Sequence, residues 1–129
     1  MTTLIENAIT KMATVTGVNA KTVAVTTLYT VPVGKTFIPD HIVIRVTEFT
    51  VGAKDTQAVA SFGGNAATYD DYLNTITYTI AAADVFIRDS VEDTAVVTQA
   101  AADVFSISVE IASNATTETW AVDVFGYLV

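Results

Sequence analysis

From Thr22 onward, apolar and polar residues alternate with a period of two, the spacing that puts successive side chains on opposite faces of a strand. Val23, Val25 and Thr27 alternate with alanine and threonine. Residues 28–31 then lead into Pro32-Val33-Gly34-Lys35, where proline and glycine sit as a tight turn requires. Over residues 41–49, Ile42, Ile44 and Val46 face one way while Arg45 and Thr47 face the other, which predicts a half-buried strand. Similar runs occupy 57–62, 75–80, 85–88, 94–98, 104–111 and 119–129. The clearest sets Phe105, Ile107, Val109 and Ile111 against Ser106, Ser108 and Glu110. About eight short strands with a turn signal every 8–12 residues or so predict an all-β fold, an antiparallel β-sandwich or jelly roll.

The first twenty residues break this rhythm. Thr3-Leu4-Ile5-Glu6 reads as a capping box, and Leu4, Ile5, Ala8, Ile9, Met12 and Ala13 follow at helical spacing until Gly17 and Asn19. A helix of about ten residues is marginal alone in water, so its apolar stripe needs a surface to lie on. That surface belongs either to its own domain or to a neighbouring subunit. The expected organisation is an N-terminal arm or short helix over 1–20 and a jelly-roll sandwich over 21–129.

The last run is apolar on both faces. Trp120, Val122, Val124 and Leu128 line one side, and Phe125, Tyr127 and Val129 line the other. One side suits the core; the other needs a second layer, for which a symmetry-related copy is the economical source. Phe125, Tyr127 and Val129, with Leu4, Ile5 and Ile9 of the arm, are therefore the candidate subunit interface. Gly126 suits a close backbone approach.

Composition narrows the function. Of 129 residues, 51% are hydrophobic and only 16% charged, which is sparse for the surface of an isolated domain. The net charge of −8 opposes sequence-independent binding to nucleic acid or to anionic membranes. No stretch approaches the roughly 18 apolar residues of a membrane span, and Met1-Thr2-Thr3 is not the basic start of a signal peptide. With no cysteine there is neither a disulfide framework nor a thiolate metal site.

The candidate chemistry is thin. Gly34-Lys35-Thr36 matches the tail of a phosphate-binding loop, but Tyr29 stands where the loop's first glycine belongs, and a strand follows where a helix is needed. His41 is the single histidine. Its neighbour Asp40 points to the opposite strand face unless a bulge intervenes, so an orienting pair for nucleophilic catalysis is not expected. Carboxylates gather at Asp70-Asp71 and over 89–93 without the spacing of a calcium loop, and they read as solvated loop charge. The segment from Gly63-Gly64 to Tyr72 is the most distinctive loop. Either Tyr69, Asp70, Asp71 and Tyr72 form a partner-contact surface, or the loop plugs the sandwich end. No enzymatic activity, cofactor or metal is expected.

Leu28-Tyr29-Thr30-Val31-Pro32-Val33-Gly34-Lys35-Thr36 resembles the first hairpin of small structural proteins of tailed bacteriophages. Val124-Phe125-Gly126-Tyr127-Leu128-Val129 is similar to the closing strand of trimeric jelly rolls of the tumour-necrosis-factor and C1q type. Together they implicate a homotrimeric virion protein of the capsid decoration (cement) or head-fibre kind. It would be made in the bacterial cytoplasm and sit on the outer capsid surface, bound to the major capsid protein or other virion proteins. The alternative is a fibre, neck or tail component, or a module that binds a host surface or glycan.

Overall fold

The computed structural model describes residues 8–52, 56–91 and 99–129. Eight strands are formed there: β1 (Thr10–Asn19), β2 (Ala24–Thr30), β3 (Phe37–Thr50), β4 (Ala58–Gly63), β5 (Leu73–Tyr78), β6 (Phe86–Asp89), β7 (Val104–Ile111) and β8 (Thr117–Leu128). They make two four-stranded sheets, ordered β1-β8-β3-β6 and β2-β7-β4-β5. All pairings are antiparallel. Among the described strands, only β4 and β5 are both consecutive in the chain and neighbours in one sheet; the other consecutive strands lie in different sheets. The expectation of a two-sheet antiparallel architecture is met.

The core lies between the sheets. β3 and β8, the longest strands, pair from Phe37 opposite Leu128 to Thr50 opposite Thr117. They contribute Phe37, Ile42, Ile44, Val46, Trp120, Val122 and Val124, all buried. Phe62, Tyr78, Phe105, Ile107 and Val109 answer from the second sheet. Aromatic rings meet edge-on: Trp120 with Tyr78 at 5.7 Å, Phe37 with Phe105 at 5.8 Å and Tyr72 with Phe105 at 5.6 Å. Each such pair contributes about 0.5–1.5 kcal/mol beyond its buried area. The buried Glu118 carboxylate accepts the Trp120 indole N–H at 3.0 Å, which satisfies the one polar group that ring brings inside.

The N-terminal segment is corrected. No helix forms among the described residues; residues 10–19 are strand β1, and residues 1–7 lie outside the description. Met12, Val15 and Val18 all lean on the core because β1 bulges twice against β8, between Lys11 and Ala13 and between Val15 and Val18. Each bulge inserts one residue, so a spacing of three keeps one strand face inward. Gly17, read as a helix stop, occupies the second bulge with φ +72°. The strand expected over 94–98 also lies outside the described residues.

Pro32-Val33-Gly34-Lys35 is a turn, with Gly34 at φ +78° and the Lys35 amide donating to the Pro32 carbonyl at 3.2 Å. Pro39 stands inside β3 without loss, since β6 covers β3 only from Ile42 to Arg45. The register slips beside it: Pro39 opposes Gly126 and His41 opposes Phe125, leaving Asp40 as an extra residue.

Candidate functional site

The outer face of the β1-β8-β3-β6 sheet carries a group of side chains with chemistry beyond packing. Cross-strand partners share a face, so the registers set its rows. Lys11, Phe125 and His41 form one; Thr14, Asp123, Val43 and Arg88 the next; Ala121, Arg45 and Phe86 the third. Tyr127 and Ile38 lie at one end.

Two local structures organise these rows. Arg45 donates from Nε to Asp123 Oδ2 at 3.0 Å and from a terminal nitrogen to Oδ1 at 3.1 Å, a two-pronged ion pair. Thr14 Oγ1 donates to the same Oδ1 at 2.7 Å, tying β1 to β8 and β3. Burial works against the Asp123 charge. The Thr14 and Arg45 hydrogen bonds and the Arg45 and Lys11 charges outweigh it and hold the carboxyl below its ordinary value.

The second is at His41. The bulge at Asp40 turns the Asp40 carboxylate back onto the histidine, with Oδ2 2.7 Å from Nδ1. The imidazole stacks flat on Phe125, with centroids 4.4 Å apart and planes 9° from parallel. The His41 side chain is only 14% exposed. Alternation along a regular strand excludes the Asp40–His41 contact; the bulge permits it. No serine, threonine or tyrosine hydroxyl is bonded to His41 among the described residues, and the pair orients a stacked ring.

The face mixes the aromatic Phe125, Tyr127 and Phe86 with charged and polar side chains, which cover part of it. His41 covers one side of Phe125, and the Arg45–Asp123 pair spans the centre beside buried Ala121. Tyr127 is half-buried, Val129 is exposed, and Phe86, on the short terminal strand β6, is 69% exposed. Ile9, just before β1, is exposed; Leu4 and Ile5 lie outside the described residues.

The segment from Gly63 to Tyr72 is stitched by Asn65. Its side-chain oxygen accepts the amides of Asp70 and Asp71 at 2.8 and 3.0 Å, and its nitrogen donates to Thr68 and Asp70. Those Asn65 and Thr68 hydrogen bonds hold the Asp70 carboxyl below its ordinary value. Asp71 accepts the Gly64 amide. Tyr69 is half-buried. Tyr72 belongs to the core and donates its hydroxyl to the Asp40 carbonyl at 2.8 Å, bracing the bulge beneath His41. Burial pushes its phenol up to about 12. The four residues proposed as one contact surface therefore divide between the loop surface and the core.

At one end of the sandwich a hollow of about 390 Å³ is lined in part by Phe49, Val51, Gln57, Ile80 and Asn114. Its amide side chains are occupied by the fold: Gln57 accepts the Ile80 amide and Asn114 the Thr56 amide, each at 3.0 Å. Sequence reasoning missed the Arg45–Asp123–Thr14 knot and the Asp40–His41 contact. The signals were present as charged residues at outward positions of apolar strands, and as a proline one residue before Asp40.

No protein-family model matches the chain, and no curated protein matches it. Among solved structures, the fold is similar to the cyanophage Pam1 capsid asymmetric unit, with a TM-score of 0.59 and 16% identity. The match covers 100% of this chain and 91% of that chain.

Proposed function

We propose that this protein is a structural component of a tailed-phage virion, a capsid decoration or cement protein that binds and stabilises the shell as a homotrimer and has no catalytic role. The observation that carries the reading is the likeness of fold, over the whole length, to a chain of a cyanophage capsid asymmetric unit. The sheet orders support a jelly roll. β1 pairs β8, β2 pairs β7, β3 pairs β6 and β4 pairs β5, the nesting produced by folding one long antiparallel ribbon over on itself. The threefold contact would use the outer face of the β1-β8-β3-β6 sheet, with Phe125, Tyr127 and Val129 near the axis. Residues 1–9, including Leu4, Ile5 and Ile9, would reach neighbouring capsid subunits. An acidic chain suits the outside of a shell, away from packaged DNA.

The test is co-sedimentation of the purified protein with capsids that lack it. Saturable binding, in copies that tile the shell, and a raised temperature of capsid disruption are expected. Binding to host cells or glycans with none to capsids would overturn the decoration role in favour of a fibre or receptor-binding module. A monomer at micromolar concentration, with Tyr127→Ala no less stable than the parent, would overturn the trimer.

A further inference from the structure

Among the described residues the two sheets end in four terminal strands, β1 and β6 on one and β2 and β5 on the other. A terminal strand turns alternate amides and carbonyls outward, a template for another chain, and soluble proteins blunt it with charge, bulges or shortness. Three of the four are blunted. β1 carries Lys11 and two bulges. β6 has four residues, two of them the charged Arg88 and Asp89. β5 is broken by a bulge in which Thr75 has φ +54°, rare for a β-branched residue. That backbone is held by the Thr75 amide donating to Ser61 Oγ at 2.8 Å and by Ser61 Oγ donating to Glu110 at 2.6 Å.

β2 has little of this protection. From Ala24 opposite Val109 to Thr27 opposite Ser106 its register is unbroken, and the first irregularity comes at Leu28. Residues 22–34 contain no charged side chain. Val23 and Val25 are 63% and 48% exposed.

We propose that β2 is a self-pairing edge, through which two copies of this chain join antiparallel about a twofold axis near Val25–Thr26 and merge their β2-β7-β4-β5 sheets into one. The occupant is a second copy because of charge. Chains of net charge −8 repel each other, so they meet most readily where neither presents a charge, and β2 offers the longest regular, uncharged edge among the described strands. A twofold axis there sets valine against threonine, a pair that favours strand association, and leaves no charge opposed to its own image. This contact lies on the other sheet from the proposed threefold face. It does not depend on that reading, and on a shell it would link one trimer to the next.

The experiment uses the full chain and two double variants, Val23→Lys/Val25→Lys and Val23→Glu/Val25→Glu, checked for fold by circular dichroism. These exposed positions tolerate the changes. Sedimentation of the parent should show a concentration-dependent doubling of its basal mass, with slowed hydrogen exchange at β2 amides in the larger species. Each variant alone should associate at least about tenfold more weakly, and an equimolar mixture should restore association. The lysine variant carries less net charge than the parent, so general repulsion predicts that it associates more strongly. That result, a mixture that fails to recover, or a parent whose mass never doubles would each overturn the proposal. A doubling from monomer to dimer, with no trimer, would overturn the threefold face and leave this edge standing.

Discussion

At Gly126 a hydrogen occupies the place where any larger side chain would meet the Ile38 carbonyl and the Phe37 ring. At Gly17 there is room for a Cβ, but the backbone sits at φ +72°. Two glycines in neighbouring strands are thus required for different reasons, space and dihedral angle. Gly126→Ala should cost about 1–3 kcal/mol by overpacking, and Gly17→Ala about 1 kcal/mol by conformational strain; urea midpoints followed by Trp120 fluorescence would measure both. Asp123 makes a prediction about pH. Its folded pKa lies below the ordinary 3.8, so the folded state binds this proton less readily than the unfolded chain. Its stabilisation is complete above the unfolded value and is lost as pH falls through the folded one. Asp70 shifts the same way, so the Arg45 contribution is read by difference. Arg45→Met should be less stable than the parent near neutrality and lose less stability between roughly pH 5 and pH 2.

Among the elements, β8 organises the molecule, since it pairs with β1 on one side and β3 on the other and its inner face supplies Trp120, Val122 and Val124. β1 is consequently structural. A chain beginning at Ala20 should lose the cover over Val122 and Trp120, melt well below the parent and aggregate through the exposed β8 edge, as light scattering during a thermal ramp would report. The β3 bulge is braced from below by the Tyr72 hydroxyl on the Asp40 carbonyl. Tyr72→Phe should lower stability by about 1 kcal/mol and broaden the His41 ring resonances in NMR spectra, because the backbone that turns Asp40 toward His41 is then less constrained. An unchanged midpoint with unchanged resonances would remove Tyr72 from that role.

At the scale of the molecule, the surfaces proposed for partners are the outer face around Phe125 and Tyr127, with the exposed Phe86, and the uncharged β2 edge. The first is partly covered by its own stacked and ion-paired side chains, so its association should depend on the aromatic rim more than on the Arg45–Asp123 centre. Tyr127→Ala should therefore lower the fraction of the proposed trimer at micromolar concentration, measured by light scattering, while leaving the monomer's circular dichroism unchanged. Arg45→Met should act mainly on the stability of the fold.

The alternation of apolar and polar residues was enough to identify the all-β class, most strand positions, the inner faces of β3, β7 and β8, and the turn at 32–35. These depend on a period of two, which any half-buried strand imposes locally. Local spacing misread the start of β1, because Met12 and Ala13 continue a helix-like series from Leu4 to Ile9 although they lie at a bulge of a strand. Only pairing with β8 distinguishes the two. The same limit hid the Asp40–His41 contact, which needs a register slip, and the Arg45–Asp123–Thr14 knot, which joins residues far apart in sequence on three strands. It also left Tyr72 among the candidate contact residues, since nothing local reveals that its ring meets Phe105 across the core. What the chain by itself determined was which residues seek burial; which strand edges and faces remain available to a partner was decided by the order of strands in the sheets, because availability depends on neighbours that only the tertiary fold supplies.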